Sequence, residues 1–273
     1  HNVRYLSATD DMVMAMLEAD PRLTAMPGLT AIGFGAFNAS PEELAERAET
    51  RGVRLIGLYG MSEVMALFAR QDPATPQAER VLGGGQLISA SARVRVRHPD
   101  TGELCPDGES GELEIRGPSL MAGYFENAEA TAAAFTNDGY LRTGDLGYTT
   151  GEGKFVYVTR MGDTLRLGGF LVSPVEIEAH LAEHPSVEGA QVVSVRVGDA
   201  ARAYAFVIAA DGQSIDSANL GAHCSEALAQ FKVPIAFEAL TAFPTTKGAN
   251  GTKIQRAKLR DMAQTAVDKG EQA

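Results

Sequence analysis

The sequence predicts a mixed fold: an α/β layer, then a small β-barrel or β-sandwich, then a compact α+β domain. Three observations predict it. Residues 10–18 and 41–50 repeat apolar positions at helical spacing and alternate with short apolar runs, the texture of an α/β layer. From about residue 83 to 157 the apolar period drops to two, in segments split by turn signals. After Arg160 a glycine-punctuated link leads into a second alternation of helix and strand patterns. The boundaries implied are 1–82, 83–160 and 161–273.

The elements follow in order. Helices are expected over Asp10–Glu18 and Pro41–Thr50, the second with Ser40 as N-cap and Pro41 at its first position. The runs LTAIGFGAF and VRLIGLYG between and after them read as short buried strands. In the middle region ARVRVRH and GELEIRG alternate apolar with polar residues, and PDTG and PDGESG supply the turns. Ser173, Pro174 and Glu176 open the helix SPVEIEAHLAEH with a capping-box pattern. Strand-like AQVVSVRV and AYAFVIAA come next, then a helix from about Asp216 to Gln230. A loop built from Gly248, Asn250 and Gly251 then presents Lys253, and the final DKGEQA reads as disordered.

Composition narrows the function class. Of 273 residues 45% are hydrophobic and 22% charged, ordinary for a soluble globular protein. The formal charge of −11 argues against nucleic acid or an anionic membrane as the main partner. Cys105 and Cys224 are far apart and lack a CxxC spacing, so reduced thiols and a cytoplasmic location are the expectation. No apolar run approaches the roughly 20 residues of a membrane helix.

Four segments carry chemistry: YGMSE (59–63), YLRTGDLGY (140–148), TRMGDTLRLGGFLVSPVEIE (159–178) and PTTKGANGTKIQRAKLR (244–260). A flat ring at Tyr59 suits a nucleobase, and a carboxylate at Glu63 suits a hard cation. Asp145 could accept hydrogen bonds from two ribose hydroxyls at once. The ammonium of Lys253 could neutralise developing phosphoryl charge. Each has a bland counterpart: a core tyrosine, a turn aspartate, a solvated lysine.

Together and in this order, the four segments resemble the late motifs of AMP-forming acyl-CoA synthetases, members of the adenylate-forming enzyme superfamily. The lead-in GYFENAEATAAAFTNDGYLRTGD also resembles that family, with Ala128 where it has proline and Tyr140 where it has tryptophan. Upstream, GFGAFNASPEELAERA resembles the adenine-lining segment, in which Gly35 and Ala36 take the lining positions and Phe34 and Phe37 are departures. The resemblance covers roughly Arg4 to Arg260. It implies the end of a large adenylating domain followed by a C-terminal lid domain, with a phosphate-gripping loop in an upstream half of the same enzyme. No GxxxxGK[ST] pattern occurs in this chain.

By the same resemblance, Tyr59 and Gly60 lie at adenine, Ser62 faces the phosphates, and Glu63 helps hold Mg²⁺. Asp145 takes the ribose, and Arg160 reaches ribose and phosphate. Gly162 stands at the hinge, where the family usually has Asp or Lys. Gly168 and Gly169 belong to a loop that turns toward the CoA thiol, and Lys253 is the catalytic lysine. The implied activity joins a carboxylic acid, a fatty acid by the feel of residues 242–260, to CoA through an acyl-adenylate made from ATP. An adenylation domain serving a carrier protein in trans, and a non-catalytic nucleotide-binding relative, stay open, as does a homo-oligomer.

Two patterns read as decoys. His180 and His184 share a helix face at zinc-like spacing but lack a third ligand, so a surface helix is expected. Glu176 and Glu178 sit in a first helical turn, where capping and macrodipole roles are expected rather than paired acid–base work.

Overall fold

The computed structural model describes residues 2–20, 23, 26–35, 41–248 and 251–270, and the chain divides into two compact units, 1–158 and 159–273. Among the described residues, no helix is long and apolar enough to cross a membrane.

The first unit opens with β1 (Tyr5–Thr9), α1 (Asp10–Ala19), β2 (Ala31–Gly35), α2 (Pro41–Glu49) and β3 (Arg54–Tyr59). The three strands are parallel neighbours, β1 to β2 to β3, with α1 and α2 supplying the crossovers that parallel pairing requires. Val13 and Leu17 of α1, Leu44, Ala45 and Ala48 of α2, and Ile32, Phe34 and Leu55 of the strands form one buried core. Phe34, a departure from the family pattern, is therefore a core residue, with no exposed surface. Ser40, the expected cap of α2, lies outside the described residues. Arg80 is buried behind β3; its Nε donates to Leu55 O at 3.0 Å and it pairs with Glu49 at the end of α2.

The chain continues through β4 (Ala69–Arg70), α3 (Gln77–Arg80), β5 (Gly84–Leu87), β6 (Arg93–Arg97), β7 (Gly111–Arg116), α4 (Ala128–Ala134), β8 (Leu141–Gly151) and β9 (Lys154–Arg160). Both alternating segments are strands as expected, and they pair antiparallel from Arg93↔Arg116 to Arg97↔Glu112. The expected small barrel is not closed. Among the described residues these strands extend the parallel layer into one nine-stranded sheet, ordered β1-β2-β3-β4-β5-β9-β8-β7-β6. Gly84 and Gly85 make the junction. Both have positive φ, +106° and +93°, and a Cβ on either would sit 2.3 Å from a carbonyl oxygen, of Phe155 or Arg70. A side chain there would part β5 from its neighbours, so these glycines stitch the antiparallel strands onto the α/β layer.

The second unit holds β10 (Leu165–Leu167), β11 (Phe170–Val172), α5 (Pro174–Ala182), β12 (Val187–Val197), β13 (Ala200–Ala209), α6 (Ser217–Ala227), β14 (Phe237–Ala239), β15 (Thr245–Gly248), β16 (Gly251–Ile254) and α7 (Arg256–Gly270). Strands β12 and β13 are antiparallel and β14 joins parallel to β13. The alternation of side chains sorts them into two cores. Val192, Ala203, Ala205 and Val207 face a cluster with Ile177 and Leu181 of α5 and Leu220 and Cys224 of α6. Val193, Val195, Tyr204 and Phe206 face Leu259 and Ala263 of α7.

Helix α6 begins on Asp216, whose carboxylate accepts from Ala218 N at 2.9 Å and Asn219 N at 3.3 Å. Helix α5 starts at Pro174, but the capping box is not made: Ser173 makes no side-chain cap bond. Glu176 is taken instead by Lys232 Nζ at 2.5 Å. Asp268–Gly270, expected to be disordered, belong to α7.

Candidate active site

Gly35 ends β2 and Tyr59 ends β3, so the two parallel strands deliver both predicted residues at their C-terminal ends. Ligands of open α/β sheets gather at that end. A Cβ on Gly35 would meet nothing within 4 Å, leaving backbone open beside the strand tips. Ala36 lies outside the described residues.

Asp145 arrives from β8 by a break in register. Glu112 pairs with Leu146 and Glu114 with Arg142, so Thr143, Gly144 and Asp145 bulge out of the β7–β8 ladder. Bulges re-aim side chains, often beside active sites. Thr143 Oγ1 donates to Leu113 O at 2.7 Å and accepts from Asp145 N at 3.0 Å, while Gly144 takes a φ of +66°. The aspartate is only 2% exposed. Tyr59 Oη donates to Asp145 Oδ2 at 2.6 Å, and the Tyr59 ring meets Phe155 edge-on with centroids 5.0 Å apart. Tyr59 is thus both a buried core residue and the hydrogen-bond donor that orients the predicted ribose ligand.

Beyond Tyr59 the chain turns sharply. Ala66 N donates to Met61 O at 3.0 Å and Phe68 N to Tyr59 O at 2.8 Å, with Ser62–Val64 forming a short 3₁₀ turn. Met65 and Ala66 sit at φ +58° and +78°, a conformation that costs side-chained residues about 1–3 kcal/mol each. The turn also needs Gly60, because a Cβ there would lie 1.5 Å from Ala66 O. Ser62 is left exposed and Glu63 half-buried.

Glu63 has partners that its sequence neighbourhood does not announce. Tyr124 Oη donates to Glu63 Oε1 at 3.0 Å, and Met121 N donates to Glu63 O at 2.8 Å. Burial, then the neighbouring Glu63 carboxylate, raises the Tyr124 phenol above its ordinary value, so it stays a donor at neutral pH. A half-exposed carboxylate with one oxygen held fits a hard cation such as magnesium. The only sequence signal for Tyr124 was its place in the lead-in to Asp145.

The remaining predicted residues lie in the second unit. Arg160 ends β9, and its carbonyl accepts from Asp163 N, Thr164 N and Thr164 Oγ1, each at 3.0 Å. Gly162, in this turn, has no positive φ and a Cβ on it would meet nothing within 4 Å, so the turn itself does not require glycine. Gly168 and Gly169, at φ +59° and +87°, form the two-residue turn of the β10–β11 hairpin, as a type I′ turn requires. That tip packs on Phe231, which stacks with Phe170 at 5.0 Å. Lys253 is not on a loop. It stands opposite Thr246 in the β15–β16 hairpin, while Asn250 and its own side chain lie outside what is described.

His180 and His184, set at zinc-like spacing, each take another partner. His180 stacks on His223 with centroids 4.2 Å apart and planes 1° apart. Each ring Nε2 reaches the other residue's carbonyl, at 3.0 and 2.9 Å. A ring nitrogen from each and a Glu183 oxygen lie within 4.8 Å of one another. Parallel imidazoles cannot both aim in-plane lone pairs at one ion, so the cluster reads as a stack joining α5 to α6. His184 Nδ1 meets Ser186 Oγ at 2.8 Å.

The AMP-binding enzyme family matches residues 1–125, and the AMP-binding enzyme C-terminal domain family matches residues 176–250. A sulfoacetate–CoA ligase of Cupriavidus necator is 34% identical over 96% of this chain and 50% of its own length. The ATP-bound structure of MatB from Rhodopseudomonas palustris has a TM-score of 0.83 at 26% identity, over 97% of this chain and 52% of that one. The O-succinylbenzoate CoA synthetase of Bacillus subtilis, in complex with ATP and magnesium ion, has a TM-score of 0.80 at 29% identity, over 96% and 52%. The chain thus spans about half the length of the relatives it matches. Two matching family segments in order, on a sheet that brings Tyr59 to Asp145, place the chain in the adenylate-forming superfamily of AMP-binding enzymes.

Proposed function

We propose that the protein activates a carboxylic acid with ATP and transfers the acyl group to CoA, as an AMP-forming acid–thiol ligase. One observation carries the reading: a buried aspartate, lifted on a bulge and oriented by Tyr59, beside the turn that presents Glu63. In the first half-reaction the acid's carboxylate attacks the α-phosphate, forming an acyl-adenylate and releasing pyrophosphate. In the second the CoA thiolate attacks the acyl carbon, and AMP leaves.

Asp145 would accept both ribose hydroxyls, with Tyr59 fixing the carboxylate's rotation and offering ring surface to adenine. Gly35 and Ala36 would line the base, and Gly60 and Ser62 the path toward the phosphates. Glu63, held by Tyr124, would bind magnesium, which when bound screens the triphosphate charge. Arg160 would reach ribose and phosphate. Lys253 would neutralise carboxylate and phosphoryl charge in the first step, a contribution of about 2.7–4 kcal/mol for a lost donor in comparable sites.

The hinge at Gly162 would let the second unit turn between steps, bringing the Gly168–Gly169 tip toward CoA. The reading includes an upstream half with the phosphate loop, and the three divisions 1–82, 83–160 and 161–273 as its working parts. Two of the matched relatives are named for sulfoacetate and O-succinylbenzoate, and the substrate proposed for this protein is a carboxylic acid, with residues 242–260 favouring a fatty acid.

The test is carboxylate-dependent ATP–pyrophosphate exchange across fatty, aryl and short acids, with Lys253→Ala alongside. Exchange with one acid class, lost in the variant, supports the reading and identifies the acid. Absence of exchange with every acid, in protein that includes the upstream half, overturns it.

A further inference from the structure

Glu178, expected to serve the α5 macrodipole, has a different task. Its Oε1 accepts from Val192 N at 2.7 Å and from Arg256 Nη1 at 2.7 Å, and its Oε2 accepts from Arg256 Nη2 at 2.9 Å. Arg256 Nη1 also reaches Val192 O at 3.2 Å. The carboxylate is largely buried, with 10% of its side chain exposed. One bidentate, charge-assisted pair therefore ties α5, β12 and the first residue of α7 together.

Arg256 follows Lys253 by three positions. The chain between them is anchored at each step. Ile254 packs against the core formed by Val193, Val195, Tyr204 and Phe206. Gln255 N donates to Pro244 O at 2.8 Å, closing the base of the β15–β16 hairpin. The hairpin itself pairs with no other strand among the described residues, and an isolated two-stranded ribbon is marginally stable. Its placement therefore depends on its base, where Glu178 holds Arg256.

We propose that Glu178 is a positioning residue for Lys253, acting through Arg256 to set where the lysine-bearing strand leaves the domain. The proposal rests on the function proposed above for Lys253. The guanidinium matters as well as its charge, because an ammonium is a point charge without the planar fork of two parallel donors that meets both carboxylate oxygens here.

The experiment compares Glu178→Gln, Arg256→Lys, Lys253→Ala, and the first two each combined with Lys253→Ala, in protein that includes the upstream half. It measures acid-dependent pyrophosphate exchange and, separately, Tm. Glutamine keeps an acceptor for Val192 N but loses the ion pair. The expected result is a fall in exchange kcat of about 10²-fold for Glu178→Gln, the scale of a misplaced catalytic group. ATP KM should stay within about threefold. In the Lys253→Ala background the same substitution should cost nothing further, because residues acting as a unit are not additive.

An equal loss with and without Lys253 overturns the proposal, as does a lowered Tm with unchanged exchange. Should Glu178→Gln fail to fold, Arg256→Lys in both backgrounds is read the same way. Full exchange by Lys253→Ala alone overturns the assignment of Lys253 itself, and this single variant keeps the two failures apart.

Discussion

Tyr59 and Asp145 stand 86 residues apart in sequence and meet through a 2.6 Å hydrogen bond from the phenol to the carboxylate. The contact gives a tyrosine of a buried cluster a second role beside packing. Its ring fills space beside Phe155, and its hydroxyl decides how the aspartate is turned.

Tyr59→Phe should keep the packing and lose the orientation. A hydrogen bond to a charged group contributes about 1.5–3 kcal/mol, so ATP KM in the exchange assay should rise roughly tenfold or more. Discrimination against 3′-deoxy-ATP should shrink alongside. Unchanged discrimination would show that Asp145 does not depend on this contact.

Gly60→Ala and Gly35→Ala should separate cleanly in thermal melts. The first places a Cβ 1.5 Å from Ala66 O and should cost about 1–3 kcal/mol by overpacking. The second meets nothing within 4 Å and should leave Tm nearly unchanged. Equal melting points would show that the turn at residues 61–66 shifts freely.

Glu114 should dominate the acid limb of stability in the first unit. Its carboxylate has no exposed surface and accepts from Arg95 Nε at 2.5 Å and Arg97 Nε at 2.7 Å. Burial alone would raise this carboxyl, but the hydrogen bonds from Arg97 and Arg95 together outweigh it and hold it below its ordinary value. A depressed carboxyl contributes stability above the unfolded value, about 4.3, and that contribution is lost as pH falls through the folded value. Glu114→Gln should therefore cost about 3 kcal/mol at pH 7 and flatten the urea-midpoint decline between pH 5 and 3. A parallel decline in both proteins would refute the assignment.

The two thiols should react in a fixed order. Burial pushes Cys224 up to about 11, so it stays a protonated, enclosed thiol across the neutral range. Cys105 is raised too, by burial and then by Glu109, yet it is only half-buried. A maleimide at pH 8 should label Cys105 first, and Cys224 only as the second unit unfolds in urea.

Much of the fold was legible because the governing signals are local. Alternation over Arg93–Arg97 and Gly111–Arg116 marked strands, and the Ser173–Pro174 junction marked the start of α5. Helix α7 is hard to see in the sequence although Leu259, Met262, Ala263, Ala266 and Val267 repeat at helical spacing, because its first turn lies inside the lysine motif. The barrel expected for residues 83–160 became part of an open sheet because strand period reports which face is buried and says nothing about which strands are neighbours.

The sequence by itself determined the family motifs, their order and the residue types available for chemistry. Tertiary structure decided their partners: Tyr59 with Asp145, Tyr124 with Glu63, and Glu178 with Arg256 rather than with its own helix dipole. Periodicity and capping act between residues a few positions apart, so they are written along the chain. A buried carboxylate takes whichever donor the strand order and register bring within about 3 Å, and that geometry exists only once the sheets have paired.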